Sequence, residues 1–156
     1  MGFIFKTTIM NYRKATSKDL KQLSLLFDGY RIFYRKESDI TSAQEFLSER
    51  ISQNDSVIFV AEDSNGKLLG FTQLYPLFSS TRMQKAWLLN DLFVNPDARG
   101  KSVSKGLIKK AKDLARETGA YGFFLETEKT NAIGNKLYPS VGMQLNEGSN
   151  YYEWTV

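Results

Sequence analysis

The chain has 156 residues, which suffices for one compact domain with a hydrophobic core. It contains no cysteine and no histidine, which excludes disulfides and thiolate metal sites and removes the commonest general base. Any catalysis must therefore use Asp, Glu, Tyr, Lys or backbone groups. The net charge of +4 suits an anionic partner such as a phosphorylated cofactor, and it is equally compatible with solubility alone.

Residues 1–9 are predicted to be a leader, within a single domain that spans 1–156. Lys6 is the sole charge in this stretch and no small-residue cleavage site follows, so we do not interpret it as a signal peptide. Met10 is an alternative start, because patterned sequence begins directly after it. No apolar run approaches the length of a membrane span, and we expect a cytoplasmic protein without membrane contact.

In chain order, the N-terminal half predicts one strand, two helices and three further strands. Thr16 and Asp19 form a capping-box pattern ahead of the first helix, and Asn65-Gly66 is a strong hairpin signal. The predicted elements are a strand over 12–15, a helix with apolar residues from Leu20 to Phe33, a second helix carrying Phe46, Leu47 and Ile51 after a polar break over 36–41, strands over 57–61 and 67–75, a polar loop over 76–84, and a strand over 87–94.

The C-terminal half predicts alternating helices and strands. After a loop marked by Pro96 and Gly100, the elements are an amphipathic helix from Val103 to a stop near Gly119, a strand over 121–125, a short helix from Asn131 to about Val141 with Gly142 as its stop, and closing strands over 143–145 and 151–155. The order β-αα-βββ-α-β-α-ββ predicts an α/β fold with a mixed twisted sheet, helices on both faces, and at least one parallel crossover.

The segment 94–104 runs from the end of a strand into the first turn of a helix. Such a junction presents unpaired backbone N–H groups and the positive helix end to one point, which suits a phosphate or pyrophosphate. Gly100, Ser102 and Ser104 are small enough for a ligand to approach the backbone, and Arg99 and Lys101 add positive charge. An ordinary helix start with a serine cap is the alternative.

Two further residues are candidates for chemistry. Asp91, with Asn90, interrupts an otherwise apolar strand, and burial raises the pKa of a carboxylate toward the range of a useful base. A hydrogen-bonded structural carboxylate, or one that faces solvent, is the alternative. Tyr138 lies on the short helix after Asn131, where a tyrosine is usually a packing residue.

These segments together closely resemble the GNAT superfamily of acyl-CoA-dependent N-acyltransferases. That family has a strand ending in V-x-P, then R-G-x-G-x-G opening a helix, and later N-x-x-A-x-x-L-Y-x-x-x-G-F. The block from Leu89 to Val94 and the Phe33-Tyr34 pair are similar to the branch that contains histone and polyamine acetyltransferases. The matching residues of the family pattern are Val94, Pro96, Arg99, Gly100, Asn131, Leu137, Tyr138 and Gly142.

The chain departs from the family pattern at four positions. The two later loop glycines are Ser102 and Ser104, the alanine of the last block is Gly134, and the final phenylalanine is Met143. Serine keeps the backbone N–H and adds little bulk, which is compatible with phosphate binding. Gly134 is expected to weaken its short helix by roughly 0.5–1 kcal/mol and to hold Tyr138 less rigidly.

The resemblance implies acetyl transfer from acetyl-CoA to a primary amine by direct attack through a tetrahedral intermediate, with CoA as product. An alkyl ammonium with a pKa of about 10.4 must first lose a proton, and Asp91 is the candidate base, with Glu126 as the alternative. A backbone N–H around Leu92 and Phe93 would stabilise the oxyanion. Tyr138 occupies the family's general-acid position and would protonate the leaving thiolate.

The resemblance also implies where cofactor and acceptor bind. The pantetheine arm would pair with strand backbone where two parallel strands splay apart, and the pyrophosphate would lie over the loop. The expected cofactor contacts are Leu92, Phe93, Val94, Arg99, Gly100, Lys101, Ser102, Val103, Ser104, Asn131 and Lys136. The acceptor, a small-molecule or protein amine, is expected near Glu126 and the rings of Tyr30, Phe33 and Tyr34, which either hold a cation or pack in the core.

Two other functional classes stay open on the sequence. A fold of this family that senses acyl-CoA without turnover is compatible with the two loop serines, although Tyr138 and Asp91 argue against it. A nucleic-acid-binding protein fits the charge and aromatic content, but no stacking or groove-reading motif is present and we expect no nucleic-acid partner.

We expect no bound metal, and a homodimer through the C-terminal strands is a further possibility. One helix face carries a basic row that we interpret as solvated: Lys101, Lys105, Lys109, Lys112 and Arg116.

Overall fold

A computed structural model describes residues 9–156, so the predicted leader lies outside the described residues except for Ile9. The helices and strands divide between two compact units, of which the first ends at Leu125 and the second comprises Glu126–Val156. The elements are β1 (Asn11–Lys14), α1 (Leu20–Phe33), α2 (Ile40–Gln53), β2 (Val57–Glu62), β3 (Leu68–Ser79), β4 (Gln84–Val94), α3 (Val103–Glu117), β5 (Phe123–Phe124) and α4 (Ala132–Ser140).

The first unit is built on a five-stranded mixed sheet with the strands in the order β1-β2-β3-β4-β5. The first four strands are antiparallel neighbours, and β5 pairs parallel with β4. A parallel neighbour requires a crossover connection, which α3 supplies. The predicted α/β fold, the mixed sheet and the crossover are therefore confirmed.

Helices cover both faces of this sheet, as predicted. On one face α1 and α2 bury Leu23 and Leu47 against Val60 and Phe71 of the sheet, and on the other α3 buries residues such as Leu107. All five of these side chains are essentially inaccessible to solvent, and burying each contributes about 1.5–3 kcal/mol. The two cores hold β4 and α3 in place, and the candidate site lies where β4 ends and α3 begins.

The capping box predicted ahead of α1 is formed. Asp19 Oδ2 accepts a hydrogen bond of 2.7 Å from the backbone N–H of Thr16, while the Thr16 side chain accepts from Lys18 N–H. Arg13 on β1 donates to both Asp19 carboxylate oxygens at 2.8 and 2.9 Å. The entry to the helix is thereby tied to the first strand.

The hairpin between β3 and β4 is longer than predicted. The polar loop expected over 76–84 is wrong, because β3 continues to Ser79 and Pro76 lies opposite Trp87 in the ladder. β2 pairs with β3 only as far as Leu74. Beyond that residue β3 is an edge strand, which is where a sheet tolerates proline.

The second unit contains α4 but no strand. The closing strands predicted over 143–145 and 151–155 are not formed, and the strand predicted over 121–125 in the first unit shrinks to Phe123–Phe124. Apolar side chains of the final segment, including Tyr152 and Trp154, are exposed. Alternating apolar residues give the pattern of a strand, but a strand also requires a neighbouring ladder.

Candidate active site

A β-bulge in β4 determines which face of the sheet Asp91 occupies. Asp91 pairs with Gln73 and Leu89 pairs with Leu74, so Asn90 is an extra residue on β4. An extra residue reverses the alternation of the side chains that follow it. Leu89 and Leu92 both pack in the α3 core. Asp91 therefore faces α1 instead of α3.

Asp91 is buried, and each of its carboxylate oxygens accepts a hydrogen bond. Its residue is 2% exposed. Oδ2 accepts from Gln73 Nε2 at 2.6 Å, and Oδ1 accepts from Asn90 Nδ2 at 2.9 Å. Burial raises the pKa of Asp91, while hydrogen bonds from Gln73, Asn90 and Tyr30 oppose that rise. A carboxylate with a raised pKa is suited to accept protons closer to neutral pH than an ordinary aspartate.

Aromatic side chains of α1 lie beside this carboxylate. The Tyr30 hydroxyl donates to the Asn90 carbonyl at 3.1 Å. The Tyr34 ring lies 5.1 Å from the rings of both Tyr30 and Phe33 in edge-on geometry. Burial is the main cause that raises the pKa of Tyr30, and the nearby Asp91 charge is the second. The Tyr30 hydroxyl therefore stays protonated and can donate a hydrogen bond. The structure thus places Tyr30 beside Asp91, and Tyr34 and Phe33 follow in a chain of ring contacts.

A mainly apolar groove of about 440 Å³ runs between α1 and the end of β4. Gly29 allows the two elements to approach closely, because a Cβ there would lie 3.0 Å from the Phe93 ring. Phe33, on its wall, is 47% exposed, so it is available to a ligand. The groove is lined by Gln22, Leu25, Leu26, Gly29, Ile32, Phe33, Phe93, Asn95, Pro96 and Arg99.

The edge of β4 that faces β5 is open beyond Leu88. β5 pairs only with Trp87 and Leu88, whereas β3 accompanies β4 as far as Val94. Within the first unit, the backbone from Leu92 to Val94 therefore has a strand on one side only. An open edge of this kind can pair with an extended, peptide-like ligand.

The loop after β4 leads into a helix start without a side-chain cap. Gly100 has φ +78°, and Ser102 also adopts the left-handed conformation, with φ 60° and ψ 22°. The Ser102 side chain makes no capping hydrogen bond, so the serine cap considered as an alternative is not formed at this residue. Arg99 and Lys101 are exposed beside the loop. Uncapped N–H groups at a positive helix end suit an anion.

The second unit carries the remaining predicted site residues. Asn131 caps α4, since its Oδ1 accepts from Gly134 N–H at 3.1 Å. A Cβ at Gly134 would lie 2.7 Å from Asn131 Nδ2 and 3.3 Å from the Tyr138 ring. This glycine thus has a packing role that the sequence reasoning missed. Tyr138 is half-buried, while Lys136 and Glu126 are exposed.

Residues 23–143 match the Acetyltransferase (GNAT) family. The chain belongs to the GNAT family. A Bacillus subtilis (strain 168) relative, described as the uncharacterized N-acetyltransferase YhfO, is 43% identical over 143 residues, covering 92% of this chain and 95% of the relative. The chain is an acetyl-CoA-dependent N-acetyltransferase.

Solved structures support the same assignment. A probable acetyltransferase is 37% identical, with a TM-score of 0.88 over 94% of this chain and 97% of its own. The aminoglycoside N-acetyltransferase AAC(6')-Iy, solved in complex with CoA, shares the fold at 18% identity, with a TM-score of 0.81 over 99% of this chain and 100% of its own.

Sequence reasoning missed several residues around the Asp91 side chain of this GNAT enzyme. Gln73 and Thr72 are fully buried polar side chains inside a hydrophobic strand, and that pattern was visible in the sequence. Tyr75 lies on the same strand, and burial raises its pKa to about 12. Among residues 9–156, no group of acidic side chains could hold a metal ion, and no helix is long and apolar enough to cross a membrane.

Proposed function

We propose that this GNAT enzyme acetylates a primary alkyl amine by direct attack on the acetyl-CoA thioester through a tetrahedral intermediate. Asp91 is the general base and Tyr138 the general acid. The observation that carries the proposal is the buried, hydrogen-bonded Asp91 carboxylate beside Tyr30, whose ring in turn contacts that of Tyr34. The aromatic faces suit an ammonium group, and the carboxylate suits removal of its proton.

The features of the first unit fit the cofactor. The open β4 edge at Leu92, Phe93 and Val94 would pair with the pantetheine arm, and the uncapped start of α3 would hold the pyrophosphate through backbone N–H groups. When bound, acetyl-CoA supplies an activated acyl thioester with a thiolate leaving group. The proposed contacts continue through Arg99, Gly100, Lys101, Ser102, Val103 and Ser104, with Asn131 and Lys136 from the second unit.

Proton transfer is the step for which the protein's side chains are needed. At neutral pH only about one alkyl amine in 2,500 is unprotonated, so Asp91 is needed to take a proton from the ammonium. A backbone N–H near Leu92 or Phe93 would donate to the oxygen that gains charge. Tyr138 would give its phenolic proton to the departing sulfur. Glu126 is exposed and lacks the burial that favours Asp91 as the base.

The acceptor site favours an alkyl ammonium of lysine or polyamine type, on a small molecule or a protein. Tyr30, Phe33 and Tyr34 offer π faces, and the block over 89–94 resembles the histone and polyamine branch. We extend the proposal to a cytoplasmic enzyme, with no nucleic-acid partner, that forms a homodimer through the exposed apolar segment after α4.

A panel of amines with acetyl-CoA tests this function. Free thiol release should rise above the rate without acceptor for at least one alkyl amine, and mass spectrometry should show one added acetyl group on its nitrogen. Asp91→Asn should lose this activity, whereas the control Asp63→Asn, at a partly exposed residue in the turn between β2 and β3, should keep it. If CoA binds but no alkyl amine in the panel is acetylated by the wild type, the proposed acceptor class is wrong.

A further inference from the structure

A chain of three side chains leads from the start of β2 to Asp91. The Ser56 hydroxyl donates to Gln73 Oε1 at 2.8 Å, and Gln73 Nε2 donates to Asp91 Oδ2 at 2.6 Å. Gln73 is fully buried and Ser56 is half-buried. We call these two residues the relay.

The Gln73 amide is held in one orientation by a hydrogen-bond partner at each end. An amide can turn over and exchange its oxygen for its NH₂ group. An ionised Asp91 carboxylate can only accept hydrogen bonds, so the NH₂ group faces it, and the Ser56 hydroxyl donates to the oxygen at the other end of the amide. The reversed amide would place an oxygen against the carboxylate and repel its charged form.

The two oxygens of Asp91 lie in different surroundings. Oδ2 is held by the buried Gln73, while Oδ1 meets Asn90, whose residue is exposed. The Thr72 hydroxyl also donates to the Asp91 carbonyl at 2.8 Å, which fixes the backbone at the bulge. Oδ1 is thus the oxygen whose hydrogen-bond partner is exposed, which makes it the one that an acceptor's proton would reach.

We propose that Gln73 and Ser56 are positioning residues that act through Asp91, holding Oδ2 so that Oδ1 is oriented to take the acceptor's proton. The inference rests on the proposed function, in which Asp91 is the base. In the step, an N–H bond of the ammonium breaks, an O–H bond forms at Oδ1, and the electron pair stays on nitrogen. Neither relay residue gains or loses a proton.

Other titratable groups face this site from two elements. Tyr30 on α1 and Tyr75 on β3 both interact with the Asp91 charge, and both have raised pKa values, so they stay neutral as Asp91 titrates. Arg50 and Asp55 form an ion pair; the Arg50 charge lowers the pKa of Tyr75 and the Asp55 charge raises it. The Gln73 hydrogen bond favours the charged form of Asp91, so its removal should raise the pKa of Asp91.

The test compares four variants with the wild type in kinetics and in ¹³C NMR titration of the Asp91 carboxyl. Gln73→Met removes the donor at similar size and should lower kcat about tenfold, with the acid limb of kcat/KM shifted up by about one pH unit. KM for acetyl-CoA should not change. Gln73→Glu should shift the limb further, because two carboxylates share one proton. Ser56→Ala should give a smaller shift in the same direction, and Ser56→Thr should restore the wild-type profile.

A purely structural role predicts a different pattern. Gln73→Met and Ser56→Ala would then lower the melting temperature but leave the acid limb and the Asp91 titration at their wild-type positions, and that result overturns the proposal. If Gln73→Met does not fold, Ser56→Ala against Ser56→Thr decides alone. If the wild type acetylates no amine, the proposed function fails, yet the NMR titration still shows whether the relay controls the Asp91 carboxylate.

Discussion

Ser102 is a non-glycine residue in a left-handed conformation at the start of α3, where the family pattern has glycine. For an L-residue this conformation costs about 1–2 kcal/mol of stability. Glycine avoids that cost, but it loses about 0.5–1 kcal/mol because its backbone loses more conformational entropy on folding. Ser102→Gly should therefore stabilise the protein by about 0.5–1 kcal/mol in urea denaturation. Ser104→Gly, inside the first helical turn, is the matched control and should destabilise. Stabilisation by both variants would contradict this account of the loop.

Tyr138 is the residue on which the proposed acid step depends. Tyr138→Phe removes only the hydroxyl, so the contact between the ring and Gly134 is kept. We expect turnover to fall by about 10²–10⁴-fold, with little change in the calorimetric Kd for CoA. Wild-type turnover by this variant, with an acceptor that the wild type uses, would assign Tyr138 to packing alone.

At the scale of elements, the N-terminus of α3 makes the sharpest prediction about the cofactor. Ser104→Asp adds an anion where the phosphates would bind, and Ser104→Gly keeps the backbone N–H and removes only a hydroxyl. Saturating CoA, at about 100 times its Kd, should stabilise the wild type and the glycine variant by about 2.7 kcal/mol. The aspartate variant should show no thermal shift. If the aspartate variant shows the same thermal shift as the wild type, the pyrophosphate does not bind at the start of α3.

The helices and strands also differ in how far they could be predicted from the sequence. The helices, the capping box at Thr16, the start of the short helix near Asn131 and the crossover after Gly100 depend on local patterns, and all were predicted correctly. The bulge at Asn90 and the long hairpin depend on how one strand meets its neighbours. Periodicity within one strand does not contain that information.

The candidate site divides in the same way. Asp91 and the loop over 99–104 could be proposed from the sequence, because a polar residue in an apolar strand and a strand–loop–helix junction are both visible in the sequence alone. Gln73 was missed, although it also lies in an apolar strand, because its role appears only when β3 is set beside β4 in register. The groove beside Gly29 likewise requires two elements to be packed together.

For the whole molecule, the buried Asp91 should make stability depend on pH. Its pKa is raised in the folded state, so the folded protein binds this proton more tightly than the unfolded chain does. The resulting stabilisation is full below the unfolded pKa of about 3.9 and is lost as pH rises through the folded pKa. The melting temperature of the wild type, relative to Asp91→Asn, should therefore fall as pH rises. A difference that is constant with pH would show that the folded pKa is not raised.

The most direct test of the central claim is kcat/KM as a function of pH for the wild type and Asp91→Asn, with an alkyl amine that the wild type acetylates. The wild type should show an acid limb set by Asp91, displaced to a higher pH than an ordinary aspartate would give, because burial raises its pKa. Asp91→Asn should lose about 10²–10⁴-fold near neutral pH and recover in part as pH approaches the amine's own pKa of about 10.4. An unchanged profile in the variant would contradict the assignment of Asp91 as the base.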